Sequence, residues 1–274
     1  MERHLWQYRT GGTTLEIDYL VSTMNQTDYT VVNNMNIGEQ KYTVINQVTR
    51  DDITPPDDRH TPESTFINVR DQGLSKSRNM ALQNSRGDIC VICDDDMEYT
   101  LHAAEISEYY KRYPQADIII FKVNGTNKRY WEKPTELNFL KTMKAMSVEI
   151  TFKRESIIHH GIAFDEEFGA GAKYFLGEEN IFLWDCLRKN LNILYIPENL
   201  GTLHDDRPSS WFTGYTSHYF ISKGAVFFRM SKWLYVPLML QFAVRKHKEY
   251  HHTIHFFQAI THMIKGGKQL LKDS

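Results

Sequence analysis

Cysteine is scarce: Cys90, Cys93 and Cys186 are the only three in 274 residues. So few, and an odd number, exclude a disulfide framework and favour a reducing compartment. Glycine (15) and proline (8) are too sparse for a collagen-like or low-complexity chain. No internal repeat is visible. A spanning helix needs about 20 mostly apolar residues. The nearest candidate, Gly224–Val244, contains WLYVPLML but is interrupted by Arg229, Lys232, Pro237 and Gln241. The opening MERHLWQYRTGG has no apolar core, so no secretory leader is expected. Net charge is small as well, at −2.

That small net charge hides an uneven distribution. From Arg207 to Ser274 ten Lys/Arg face only Glu249 and Asp273, a net of +8, which leaves −10 on the first 206 residues. A basic tail on an acidic body suits an anionic partner. No nucleic-acid-binding motif accompanies the charge, so a membrane surface is expected and nucleic acid is not. Within Tyr250–Leu271, Ile254, Phe257, Ile260 or Thr261, and Ile264 recur at helical spacing with lysines towards the end. This pattern suits an interfacial amphipathic helix, and equally helices packed on the main body. The expected division is a catalytic unit over 1–206 and a basic helical tail over 207–274.

With 41% hydrophobic and 24% charged residues the chain is globular and long enough for a sizeable core. Short apolar runs predict strands at Ile17–Ser22, Tyr42–Asn46, Asp88–Cys93, Asp117–Val123, Val148–Phe152 and Asn192–Ile196. Several lack alternation, as in strands covered on both faces. Helical signals fall at 74–85, 100–112 and 178–190. Strands alternating with helices predict an α/β layer with a mostly parallel sheet. Residues 51–72 and 124–147 read as loops. Cys90 and Cys93 have CxxC spacing but lie within a strand run, so they read as small core residues rather than redox or zinc ligands.

The chemistry concentrates in three places. Asp94, Asp95 and Asp96 follow the apolar run ICVIC, and ligands of open α/β sheets sit beyond the carboxyl ends of strands. Adjacent carboxylates repel one another unless a cation or donors neutralise them, and Asp94 and Asp96 can converge on Mg²⁺ or Mn²⁺. Just upstream, GLSKSRN opens a helix, placing Arg78 and Asn79 where a phosphate or ribose is suited. Downstream, FDEEFGAG precedes GEEN, so Glu178 and Glu179 fall in a first helical turn. There they are either dipole partners or a general base. His204, in GTLHDDRPSSW, is a candidate to complete a metal site with Asp96.

These segments, in this order, resemble family 2 glycosyltransferases of GT-A fold. The match runs over Gly73–Asn79, Ile89–Asp96, Phe164–Phe168, Gly177–Glu179 and His204, within about residues 15–206. The resemblance implies a metal-dependent, inverting transfer of a sugar from a nucleotide-diphosphate sugar, a UDP-sugar foremost, to a hydroxyl of a saccharide or lipid-linked acceptor. It makes Asp96 the main metal carboxylate, with Asp94 and Asp95 near ribose and metal. Glu179 stands at the base position, where the family normally has Asp, and Glu178 precedes it. The first and second strands depart from the family's turns, reading VSTMNQTDY and VINQVTRDD, so Thr23, Asn25, Asn46 and Gln47 stand in as nucleotide contacts. It also implies polysaccharide or glycolipid synthesis, peripheral on the cytoplasmic membrane face.

Tyr130, Trp131 and Trp211 offer apolar platforms for a sugar or lipid-linked acceptor. Two other readings stay open: a phosphotransferase or phosphatase built on Asp94 and Asp96, and a non-catalytic module that binds a nucleotide-sugar or carbohydrate.

Overall fold

The computed structural model describes residues 15–204, 212 and 214–273. The opening dodecapeptide, Arg207 at the expected division and Trp211 lie outside them. Ten strands form one sheet: β1 (Ile17–Met24), β2 (Lys41–Gln47), β3 (Arg59–His60), β4 (Ser64–Val69), β5 (Ile89–Asp94), β6 (Met97–Tyr99), β7 (Ile118–Asn124), β8 (Thr135–Glu136), β9 (Ile150–Lys153) and β10 (Ile193–Leu203). Their order is β3-β4-β2-β1-β5-β9-β7-β10-β6, with β8 also on β10. The half formed by β4, β2, β1 and β5 is parallel, as is the pair β7–β10. Between them β9 runs antiparallel to both β5 and β7. The segment expected to be a loop over 51–72 therefore contains a parallel strand.

The central strands read as unbroken apolar runs because both faces are covered. Tyr19, Val21, Val44, Val91 and Phe121 face one core cluster, on the side of α1 (Val31–Asn34) and α3 (Ala103–Arg112). Their neighbours Leu20, Ile45, Cys90, Ile92 and Ile120 face a second, with Ala81 and Leu82 of α2 (Leu74–Asn84). Short helices α4 (Phe139–Thr142) and α5 (Arg154–His159) flank this side. Cys90 and Cys93 are fully buried, and burial pushes the Cys90 thiol up to about 12. They are core residues, as expected.

α6 (Glu178–Arg188) is covered on nearly all sides, with Glu178 and Asn180 buried among its apolar residues. Phe182, Leu183 and Cys186 press on the sheet cluster, while Ile181 and Trp184 face a third. That third cluster is shared with the C-terminal helices α7 (Ser217–Met230), α8 (Tyr235–Arg245), α9 (His247–Tyr250) and α10 (Phe256–Asp273). α7 and α10 cross at glycine. A Cβ on Gly224 would lie 2.0 Å from the Met263 carbonyl oxygen, and one on Gly266 1.9 Å from that of Ile221. Only glycine lets the backbones approach so closely.

The packed face of α10 is therefore Ala259, Met263, the glycines and Leu270, all buried. The stripe expected from spacing is displaced: Ile254, Ile260 and Ile264 are half-buried, and Phe257 is 81% exposed.

Candidate active site

Parallel register brings the candidate residues to one sheet edge. Thr23 on β1 is aligned with Asn46 on β2, Met24 with Gln47, and Asn46 with Asn68 on β4. Ser22 is aligned with Asp94 at the end of β5. Asp95 and Asp96 then form the turn into β6.

Hydrogen bonds lock this edge. Asp95 Oδ2 accepts from the Thr23 hydroxyl at 2.5 Å, and Thr23 Oγ1 accepts from Gln26 Nε2 at 2.7 Å. Asn46 Oδ1 accepts from the Gln26 backbone N–H at 2.9 Å, and its amide donates to Asn68 Oδ1 at 2.8 Å. Asn25, held at φ +55°, accepts from the Thr49 backbone N–H at 2.9 Å. Gln47 Oε1 accepts from the Gly73 N–H at 2.8 Å, so it positions the start of α2. Gln26, Asn68 and Thr49 escaped the sequence reading. Asn68 did so because its strand is polar and reads as loop.

α2 buries polar residues, which costs free energy unless each finds a partner. Each does. Ser75 Oγ donates to the Phe168 carbonyl at 2.6 Å, and Ser77 Oγ to Ser22 Oγ, its partner across the helix–sheet contact, at 2.9 Å. Asn79 clamps the FDEEF segment: its amide donates to the Phe164 carbonyl at 2.9 Å and to Glu166 at 3.1 Å, and its Oδ1 accepts from the Phe164 N–H at 2.8 Å.

Arg78 is fully buried. Nη2 donates to Asp94 Oδ1 at 2.9 Å and Nη1 to Glu178 Oε1 at 2.8 Å. Expected near a phosphate or ribose, Arg78 and Asn79 have their side chains engaged with the aspartate turn, the start of α6 and the FDEEF segment. The same pairing engages Asp94, which was expected to share a cation with Asp96. Its two oxygens accept from Arg78 and, at 3.3 Å, from the Ser147 hydroxyl. A carboxylate so engaged is also a poor phosphoryl-accepting nucleophile.

Gly177, at φ +85°, turns the chain into α6, and a Cβ there would sit 2.7 Å from Val226 of α7. The turn delivers Glu178 inward to Arg78 and leaves Glu179 half-buried, its Oε1 accepting from Asn180 Nδ2 at 3.0 Å. Burial, with the neighbouring Glu178 charge adding to it, pushes the Glu179 carboxyl up to about 8. Lys223 of α7 acts in the opposite sense, its ammonium favouring the ionised carboxylate.

His204 arrives beside the aspartates, since β10 pairs antiparallel with β6 and its N–H donates to the Asp96 carbonyl at 2.9 Å. Its imidazole, however, pairs with Glu98 at 3.0 Å. Among the described residues no group of three His, Cys, Asp or Glu side chains could hold a metal ion. The donors that are present, carboxylate oxygens and one imidazole beside Asp96, fit a hard ion that keeps most of its ligands from water and substrate phosphates. Trp131 packs edge-on against Tyr195 at 5.2 Å with the Lys144 ammonium over its ring. Tyr130 donates to Glu149, which Lys128 also pairs. These two rings thus brace the β7–β10 side.

No curated protein matches the sequence. Among solved structures the chain is similar to the crystal structure of S. aureus TarS 1-349, at 12% identity and TM-score 0.59, over 94% of this chain and 83% of that one. It is similar to the same protein in complex with UDP-GlcNAc, at 12% identity and TM-score 0.59, over 92% and 81%. A third likeness is to that protein in complex with UDP, at 11% identity and TM-score 0.55, over 95% and 92%. At such identity the likeness establishes the GT-A-like fold. The model for Glycosyl transferase family 2 matches residues 64–168, from β4 through the aspartate turn to Phe168. That segment, 105 of the 274 residues, is what this chain has in common with glycosyltransferases of family 2, and it lies within the GT-A-like fold.

Proposed function

We propose that the chain is a metal-dependent, inverting transferase that takes a sugar from a UDP-sugar to a hydroxyl of a saccharide or lipid-linked acceptor. The observation that carries this reading is Arg78, buried between Asp94 and Glu178 at 2.9 and 2.8 Å. Through this one side chain the aspartate turn and the start of α6 are tied to each other. The complexes of the similar fold with UDP-GlcNAc and UDP support the choice of donor.

In this reading Thr23, Asn25, Asn46, Gln47 and Asp95 hold the nucleotide end. The Thr23–Asp95 bond and their bonds to Gln26, Thr49, Asn68 and Gly73 pre-set the edge, so little ordering is left for the ligand to impose. Asp96, with His204 beside it, would hold Mg²⁺ or Mn²⁺ together with diphosphate oxygens. The bound ion would offset the charge that develops on the departing diphosphate. Glu179 accepts the proton of the attacking hydroxyl from the face opposite the leaving group, while Glu178, neutralised by Arg78, orients the helix start. Burial that raises the Glu179 carboxyl also makes its ionised form a stronger proton acceptor near neutral pH. Arg78 and Asn79 position groups around the substrate, and Trp131 lends an apolar wall to the acceptor side.

The division into a catalytic unit over 1–206 and a basic tail over 207–274 is part of the proposal. So is recruitment of that tail to the anionic cytoplasmic face of a membrane, where the chain would be peripheral. The test is release of free nucleotide from a panel of nucleotide-sugars with and without Mn²⁺. UDP release that depends on one donor and on the ion is expected. Donor binding without release would favour the non-catalytic module, and hydrolysis of phosphate monoesters instead would overturn the proposal.

A further inference from the structure

Resting on the reading of the tail as membrane-directed, we infer that α8 lies flat in an anionic lipid surface, with Trp233, Val236, Leu240 and Val244 as the side chains that enter it. The inward side of α8 is occupied: Leu238, Met239, Phe242 and Ala243 are buried in the third cluster. A surface helix ordinarily turns polar residues outward. Here the outward side also carries apolar residues, with Trp233 93%, Val236 51%, Leu240 43% and Val244 66% exposed, beside the exposed Gln241 and Arg245. Val236, Leu240 and Val244 are four residues apart on α8 and share one stripe, and Trp233 lies in the turn just before it. Exposed apolar side chains that are contiguous rather than scattered mark a surface built to be covered.

Charge and length choose what covers it. Lys232, Arg245 and Lys248 are exposed at the ends of the stripe, and α8 carries no acid. The nearby acid Glu249 is already neutralised by Lys246 and hydrogen-bonded by Tyr215. Beside Trp233, Lys232 shares a shallow depression with Leu271 of α10, which is 56% exposed. Basic residues around an apolar stripe fit anionic headgroups over acyl chains, and tryptophan favours that boundary. At 11 residues α8 is about 16 Å long, too short to cross a bilayer core of about 30 Å. No helix among the described residues is long and apolar enough to do so. The lipid-facing element is thus α8 and not the stripe expected on α10, whose packing face is spent on α7.

Flotation of the full chain with vesicles tests this. Vesicles of phosphatidylcholine containing phosphatidylglycerol should carry the wild-type chain, pure phosphatidylcholine much less, and added salt should weaken the binding. The pair Val236→Glu and Leu240→Glu should lower binding by about tenfold or more. UDP release from a soluble donor should be unchanged in that pair, so this result stands or falls separately from the transferase reading. Brominated lipids should quench the fluorescence of Trp233, read as the difference between wild type and Trp233→Phe, and this needs no folded charge variant. The inference is overturned if the wild type ignores anionic vesicles, or if the paired variant floats as well as wild type. It is also overturned if Trp233 is not quenched, or if the stripe instead mediates a dimer that the same pair dissolves.

Discussion

Arg78 Nη2 lies 2.9 Å from Asp94 Oδ1, sixteen residues further along the chain, with the guanidinium wholly shielded from water. Because its other fork reaches Glu178, removing it strands one buried carboxylate and one half-buried one. Breaking such an arrangement from one side typically costs about 3–5 kcal/mol. Arg78→Met should lower unfolding free energy on that scale and abolish UDP release. Denaturant titration checks it, and a loss below about 1 kcal/mol, the range of exposed pairs, would refute the interior role.

Glu179→Gln should retain UDP binding while turnover falls by roughly 10²–10⁴-fold, the range of a positioned proton acceptor. Normal turnover would remove Glu179 from the mechanism. Titration calorimetry with UDP and a release assay separate binding from turnover.

The same carboxyl sets two opposite pH trends. Burial, then Glu178, raises it from 4.5 to about 8, so the folded chain holds a proton there that the unfolded chain releases earlier. Its contribution to stability is complete below 4.5 and is lost as pH climbs through about 8. The melting temperature of wild type should therefore fall relative to Glu179→Gln across that window. Turnover should rise through it, because the acceptor must first lose its proton. Thermal melts and pH–rate profiles of both proteins give the comparison.

Asp96→Asn should remove stimulation by Mn²⁺ and cut turnover by roughly 10²-fold or more, on the scale of several kcal/mol of lost charge stabilisation. Its melting temperature should stay near wild type. Asp94→Asn should instead lower the melting temperature, since it loosens Arg78. Release assays with added chelator, run beside thermal melts, distinguish the two aspartates.

Gly177→Ala should destabilise by about 1–2 kcal/mol for its left-handed backbone alone. The clash at 2.7 Å with Val226 adds to that. Adding Val226→Ala should recover the second part and leave the first, as a double-mutant cycle in denaturant will show.

Strands β1, β2, β5, β7 and β10 were legible because their residues are apolar on both sides and end in turn-forming or acidic residues. β4 was not, since Ser64, Thr65 and Asn68 dilute its pattern near the flank of the sheet, where burial is incomplete. The three acidic and glycine-bearing motifs were legible as chemistry, and register brought them together. Their internal wiring was not. Nothing in a sequence separates an arginine offered to a ligand from one spent on Asp94 and Glu178. The tail misled for a related reason. α10 docks partly through Ala259, Gly266 and Gly267, residues too small to register as a hydrophobic stripe, with Met263 and Leu270 beside them and Phe257 left outside.

β9 runs against both its neighbours, so the chain emerging from residues 124–146 re-enters the sheet on the edge that holds the carboxylates, and Ser147 touches Asp94 on arrival. The two sides of the carboxylate edge consequently have separate ancestry in the chain. One is knitted from β1, β2 and β4; the other hangs from Glu149, which anchors Lys128 and Tyr130 from beneath. On the proposed function, insertions or swaps in that hanging segment would reshape what lies opposite the donor while leaving the proposed donor contacts intact. A graft confined to it is therefore the natural way to retarget such a catalyst.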